Sequence, residues 1–323
     1  MRQAGRFLPE YRELRKKHSI LELCAHPELA ASASMTAVKA LPGLDGAILF
    51  SDILQILQPM GIRIEFIESE GPRILTPVAT EADIAALKPV DPERPERAGE
   101  IALGALRILR RELEGRMAVI GFAGAPFTLA SYLVEGGPSR DYVKVKTLMA
   151  SAPAAWFTLM TKLADAVIAH LRAQIAAGAQ IVQVFDSWAG ALGVDDYRAR
   201  VQPHVRRIFE AIRGTPSIHF GTGTAALLES MRDAGGDVIG LDWRVDLADA
   251  WRRLGPGVAV QGNLDPAALL YPRPELERRI DAILDRAAGR PGHIFNLGHG
   301  ILPETPVENV AAAIDRVHAR SLP

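Results

Sequence analysis

Cysteine is nearly missing from this chain: Cys24 is the only one in 323 residues. That excludes an internal disulfide and any cysteine-rich zinc site, and Cys24 itself reads as a small, buried apolar residue. An excess of one charge is missing too. The 37 basic residues nearly balance the 38 acidic ones, for a net charge of −1. No overall field therefore draws the chain to nucleic acid or to a membrane surface, and affinity for a charged ligand has to come from local clustering. An unbroken hydrophobic run is also lacking. The longest uncharged stretch, Met117 to Val134, is interrupted by Gly121, Gly124 and Pro126 and reads as strand, turn and helix rather than a membrane span. Arg2, Arg6, Arg12 and Arg15 stand where a secretory signal would be apolar, so the cytoplasm is the expected location. The eight histidines show no HExxH and no paired spacing with carboxylates, so no metal site is signalled.

What is present is a repeated alternation. Apolar runs occur at Gly46–Phe50, Met117–Phe122, Gln180–Phe185, Pro216–Phe220, Asp237–Leu241, Val258–Gln261 and His293–Leu297. Most are apolar nearly throughout, as parallel strands covered on both faces must be. Helical stretches separate them, clearest at Ala154–Ala177 and shorter at Thr224–Met231. Repeated strand–helix units imply a parallel sheet, open or closed into a barrel. Seven units and a cut-off one at the N-terminus make eight, the (β/α)8 TIM-type count, with the first strand missing or truncated. Arg63–Leu75 alternates and is expected to turn at Gly71-Pro72 as a hairpin above the barrel. Asp91–Arg97 reads as a surface loop. No linker divides the chain, so residues 1–323 are read as a single domain.

A barrel carries its chemistry at the C-terminal ends of its strands. Small and polar residues follow nearly every run: Ser51 and Asp52, Gly124 to Pro126, Asp186 and Ser187, Gly221 and Thr222, Asp242 and Trp243, Gly262 and Asn263, and Gly298 to Gly300. Asp52 is either a helix cap or a functional anion. Tyr132 is either a packed core tyrosine or a site group, and Asp186 and Ser187 could each cap a helix. Glycines on both sides leave His299 accessible. In the opening stretch, Arg2 and Arg6 flank Gly5 and could clamp carboxylates or phosphates with their planar forks, whereas Arg12, Arg15, Lys16 and Lys17 suit a solvated helix face. Gly221–Ala226 fits the G-x-G-x-x-A dinucleotide fingerprint, with Asp242 about twenty residues on. It lies late in a run of equivalent units, however, and its backbone N–H groups could equally hold a substrate carboxylate.

Six segments together resemble the uroporphyrinogen decarboxylase family: MRQAGRFLPEYR (Met1–Arg12), GFAGAPFTLASYLVEG (Gly121–Gly136), FDSWAG (Phe185–Gly190), GLDW (Gly240–Trp243), GNLDP (Gly262–Pro266) and NLGHG (Asn296–Gly300). They come in the family's order and span the chain. The resemblance implies a (β/α)8 barrel, a homodimer, and loss of CO2 from four acetate side chains of uroporphyrinogen III to give coproporphyrinogen III, with no metal or organic cofactor. By motif position, Arg2, Gln3, Ala4, Gly5 and Arg6 belong to the substrate loop. Asp52 matches the aspartate that binds the pyrrole N–H groups, and Tyr132, Ser187 and His299 match the remaining polar site residues. Arg2 is the family-style proton donor. Its guanidinium, with a reference pKa above about 12, is a poor acid, so His299 or a water held by Arg2 compete for the role. The family normally has residues before MRQAGR that form the first strand and a leading helix. Position 7 is Phe7 where the family more often has Tyr.

Three other readings stand beside this one. A corrinoid-linked methyltransferase of the same barrel superfamily would need zinc ligands that a lone Cys24 does not supply. A non-catalytic tetrapyrrole carrier would need the basic clamp but neither Asp52 nor Tyr132. An NAD-dependent oxidoreductase would rest on Gly221–Ala226.

Overall fold

A computed structural model describes residues 3–67, 71–93 and 101–321. Helices α1 (Pro9–Lys17), α2 (Ile20–Ala25) and α3 (Pro27–Ala40) lead into strand β1 (Gly46–Ile48). A hairpin of β2 (Ile64–Ile67) and β3 (Gly71–Ile74) follows, then α4 (Glu81–Ala86), α5 (Ile101–Glu112) and β4 (Ala118–Gly124). Helices α6 (Pro126–Glu135), α7 (Val143–Ser151) and α8 (Pro153–Ala176) precede β5 (Ile181–Asp186), and α9 (Val194–Arg200) and α10 (Gln202–Ala211) precede β6 (Ser217–Gly221). Single helices then separate the remaining strands: α11 (Leu228–Ala234), β7 (Val238–Gly240), α12 (Leu247–Leu254), β8 (Ala259–Gln261), α13 (Arg273–Ala287), β9 (His293–Ile294) and α14 (Val307–Ser321).

The seven expected strands all form, and they pair in parallel in the order β1-β4-β5-β6-β7-β8-β9. Chain order equals sheet order, so each unit adds one strand beside the last and the parallel sheet curls. Among the described residues it has seven strands where eight staves are expected, and β1 and β9 are its edges. The last strand is shorter than its apolar run, and Leu297 adds only an isolated bridge to Leu264. The hairpin is also confirmed, but not its turn. Gly71 and Pro72 pair with Ile67 and Phe66 inside the ladder, a place open to proline in a two-stranded ribbon because one edge needs no N–H donor. Helix α8 fixes the sheet from outside by burying Leu159, Leu163, Val167 and Leu171 at helical spacing. The expected short helix at Thr224–Met231 begins as a 3-10 turn, Ala225–Leu227, before α11. Of the Asp91–Arg97 loop, residues 94–97 lie outside the described residues.

Two glutamine side chains complete the sheet around β1. Gln3 Nε2 donates to the Gly46 carbonyl at 2.6 Å, and the Ile48 N–H donates to Gln3 Oε1 at 2.8 Å. That O and N–H, two residues apart, are the groups that one residue of a neighbouring parallel strand would engage through its own N–H and C=O, so the Gln3 amide takes the place of one such residue. Strand β4 runs past the end of β1, whose last paired residue faces Ile120. Beyond it, buried Gln174 of α8 accepts from Phe122 N–H and donates to Phe122 O, both at 2.8 Å. A side chain at Gly121 would collide with the Gln174 amide, which accounts for glycine there. Replacing Gln3 by Ala leaves two part-buried peptide groups of β1 without this partner. The expected loss in urea unfolding is about 1–2 kcal/mol, and an unchanged midpoint and slope would count against the edge role.

Candidate active site at the C-terminal strand ends

Parallel pairing puts every strand's C-terminal end on one side of the sheet, and Asp52, Ser187 and His299 follow the ends of β1, β5 and β9. Asp52 comes four residues after β1 and is half-buried. Its Oδ1 accepts from Leu54 N–H at 2.8 Å, which starts the 3-10 turn Gln55–Leu57. This is a local turn bond two residues along the chain rather than a helix cap, since the N-cap of the 3-10 turn is Leu54 and it takes no side-chain cap bond. Burial first, and then the Asp52 charge, push the Cys24 thiol up to about 12, while the Arg15 charge and a hydrogen bond with Gln55 act the other way. Cys24 is buried, as its sequence reading holds, and it marks a group of Asp52, Arg15 and Gln55 around the base of the site.

The opening loop is tied to the same strand. Gln3 holds β1 directly, Ala4 and Gly5 are buried, and Arg6 is exposed. Arg12 Nη1 donates to the carbonyls of Arg6 at 2.9 Å and Phe7 at 3.3 Å, so this arginine, read as merely solvated, braces the loop. Arg2 lies outside the described residues.

On α6, Tyr132 is half-buried, with its ring 4.1 Å from Trp188, which in turn lies 5.2 Å from Tyr142. Trp188 N–H donates to Thr128 Oγ1 at 3.4 Å, and Ala125 N–H to Phe185 O at 2.9 Å, so α6 and the segment after β5 move as one. Half-buried Ser187 sits between Asp186 and Trp188. Neither Asp186 nor Ser187 caps a helix. The 3-10 turn that follows, Ala189–Ala191, has no side-chain cap, and Asp186 is wholly buried. The Tyr197 hydroxyl donates to Asp186 Oδ2 at 3.3 Å, and His219 Nε2 lies 3.7 Å from that oxygen. Burial and the Asp186 carboxylate together raise the Tyr197 phenol well above its ordinary range.

After β9, His299 is exposed and lies edge-on to Trp243, ring centroids 6.2 Å apart. A side chain at Gly298 would strike the Trp243 backbone, so glycine there lets the two segments pass closely. The dinucleotide reading fails here. Gly223 N–H of the fingerprint donates to Asp242 Oδ2 at 2.5 Å, which puts the chain's own carboxylate where a phosphate would have to go. Buried Asn263 ties the same turn together by donating to the Asp242 and Val245 carbonyls at 2.9 and 2.8 Å. Trp188, Tyr142, Arg244 and Asn263 had no assigned part in the sequence reading. Trp188 and Asn263 at least lie inside quoted motifs. Among the described residues, no cluster of three or more His, Cys, Asp or Glu is placed to hold a metal ion.

This is a parallel α/β protein with a polar mouth at its strand ends. The family model described as "Uroporphyrinogen decarboxylase (URO-D)" matches residues 1–320, and the chain belongs to that family. It is 57% identical over 321 residues to a uroporphyrinogen decarboxylase from Sorangium cellulosum, covering 99% of this chain and 90% of that protein. An enzyme of the same name from Thermus thermophilus is 51% identical over 319 residues, covering 98% and 92%. In fold alone the chain is similar to a methyltransferase from Methanosarcina mazei, with a TM-score of 0.77 at 20% identity over 95% of this chain and 90% of that one.

A thiol held near 12 forms almost no thiolate at pH 8. Cys24 is therefore expected to resist disulfide-exchange reagents until the protein is unfolded. Labelling of the native protein at the rate of a free thiol would contradict this placement.

Proposed function

We propose that this chain is a cytoplasmic, homodimeric, cofactor-independent uroporphyrinogen decarboxylase that converts uroporphyrinogen III to coproporphyrinogen III in tetrapyrrole biosynthesis. The observation that carries the reading is the family match over residues 1–320, at about half identity to enzymes of that name. The seven-stranded sheet is read as a barrel of the (β/α)8 type, a single domain over 1–323, with the Gln3 amide on the β1 edge where a first stave would pair. No described helix is long and apolar enough to cross a membrane.

Loss of CO2 from a pyrrole acetate needs somewhere for the electron pair of the breaking C–C bond to go. A proton added to the ring carbon beside the acetate-bearing one makes the pyrrole a cationic, iminium-like acceptor. The pair then flows into the ring as CO2 leaves. A second proton converts the exocyclic methylene to methyl, and the ring returns the first. Asp52 is assigned the role of the anion that accepts hydrogen bonds from the pyrrole N–H groups and stabilises the cation as it forms. In a cleft with little water this outweighs the same contact in bulk solvent. Arg2, Gln3, Ala4, Gly5 and Arg6 are assigned to the substrate loop, Tyr132, Ser187 and His299 to substrate binding. Arg2 or His299 delivers the proton, and Tyr132 is held for the reaction by its stack on Trp188.

The direct test is purified protein with uroporphyrinogen under reducing conditions and no added cofactor, and coproporphyrinogen is the expected product. Asp52→Asn is expected to keep the fold by circular dichroism and thermal melting and to lower kcat by about 100-fold or more, the scale of losing one preorganised charge contact. Near-normal turnover in that variant would refute the anion role.

A further inference from the structure

The strongest unassigned feature of the mouth is the Asp242–Trp243–Arg244 turn after β7. Arg244 lies flat on Trp243, its guanidinium carbon 3.9 Å from the ring centroid. Its Nη1 donates to Asp242 Oδ2 at 2.8 Å, and its backbone N–H donates to Asp242 Oδ1 at 3.0 Å. The Asp242 side chain is 2% exposed, and Arg244's is 51% exposed. Asp242 Oδ2 also takes the Gly223 N–H, and Asn263 grips the turn from below. A surface arginine ordinarily samples many rotamers and loses that freedom on binding. Here the freedom is already removed, by an aromatic face on one side and a buried carboxylate on the other.

The way the fork is used decides what it can do. A guanidinium has two ways to grip a carboxylate with paired hydrogen bonds, through both Nη atoms or through the Nε–Nη2 edge. Asp242 engages Nη1, one nitrogen of the first pair, and leaves the Nε–Nη2 edge whole. The Nε–Nη2 edge donates to no group among the described residues. What Arg244 offers is one side-on, bidentate seat for a carboxylate, on the Trp243 platform that His299 meets edge-on. Uroporphyrinogen carries eight carboxylates, far more than the opening loop's arginines can pair.

We propose that Arg244 is a specificity-determining residue that seats one peripheral carboxylate of the bound tetrapyrrole, on the side of the mouth opposite the opening loop. The proposal rests on the decarboxylase reading and adds to it a contact that holds substrate without taking part in the bond-breaking step.

The test uses the full chain, with uroporphyrin, the oxidised octacarboxylate that is not turned over, as binding probe and uroporphyrinogen as substrate. Arg244→Met keeps an apolar stem on Trp243 and removes the fork. Arg244→Lys keeps the charge without the flat, bidentate geometry. Arg206→Met, on α10, is the control for loss of one positive charge. The methionine variant is expected to bind uroporphyrin about ten-fold more weakly, with KM raised by a similar factor and kcat changed less than about three-fold. The lysine variant falls between it and wild type, and Arg206→Met matches wild type. Should Arg244→Met fold poorly, the lysine variant's affinity and KM carry the decision. Wild-type affinity and KM in the Arg244 variants, with normal wild-type turnover, would overturn the seat and leave the decarboxylase reading standing. A loss confined to kcat would overturn it as well. Wild-type protein without turnover would instead overturn the decarboxylase reading itself.

Discussion

Peptide groups on the outer strands of a sheet must find partners, and the rest of this structure depends on how β1 finds them. A buried, unpaired N–H or C=O costs about as much as a lost hydrogen bond. Strand β1 is three residues long, and β4 beside it is seven. Were β1 longer, it would pair along β4 to the mouth and Asp52 would be a strand residue. Because it stops, β4 needs another partner at Phe122, and Gln174 supplies it. The open edge of β1 needs one too, and Gln3 supplies that. A side-chain amide carries an acceptor and a donor on one edge, so each can pair with strand peptide groups where no neighbouring strand does. Asp52 follows four residues after the end of β1, beyond its paired stretch.

The same edge fixes the opening loop. Gln3 holds the loop to β1 by two hydrogen bonds, and Arg12 braces it through the Arg6 and Phe7 carbonyls. The loop that the family resemblance gives to substrate and the aspartate it gives to catalysis therefore hang from one strand. Displacing β1 would shift both, so the relative position of loop and carboxylate is a property of the sheet edge. Aromatic stacking does the equivalent work elsewhere in the mouth, through Tyr132, Trp188 and Tyr142 on one side and Trp243 with His299 on the other.

The strands were legible because parallel strands covered on both faces must be apolar nearly throughout, and such runs are visible without any partner being known. Their ends were less so, since β9 stops where pairing stops and not where apolar residues stop. The hairpin's turn was misread because Gly-Pro favours a turn locally, while a ribbon edge accepts proline at no cost in hydrogen bonds. Motif order identified the family, and it is the family resemblance that assigns Asp52, Tyr132, Ser187 and His299 to the site. The fingerprint at Gly221–Ala226 misled for the opposite reason. Its local pattern is sound, but Asp242, some twenty residues away, folds back onto the Gly223 N–H. The burial of Asp186 was hidden in the same manner, because it depends on Tyr197 and His219 arriving from other elements. Local chemistry can be read from one segment, whereas a partner brought by the fold cannot.

The decarboxylase reading gives the two kinds of charge at the strand ends different work. A contact to a carboxylate that does not react is equally strong before and during the reaction, so it tightens binding without speeding the chemical step. An anion beneath the pyrroles is different, because its partner becomes positive only as the ring is protonated. That contact strengthens on the way to the transition state and acts on kcat. Arginines at the rim and a carboxylate at the centre would neutralise each other if free to meet. On the proposed reading Arg244 is held by Asp242 and Trp243, and one Asp52 oxygen is oriented by the Leu54 N–H, so each charge keeps its own place. On that reading, preorganisation keeps opposite charges from collapsing together and directs each at its own part of an octacarboxylate substrate.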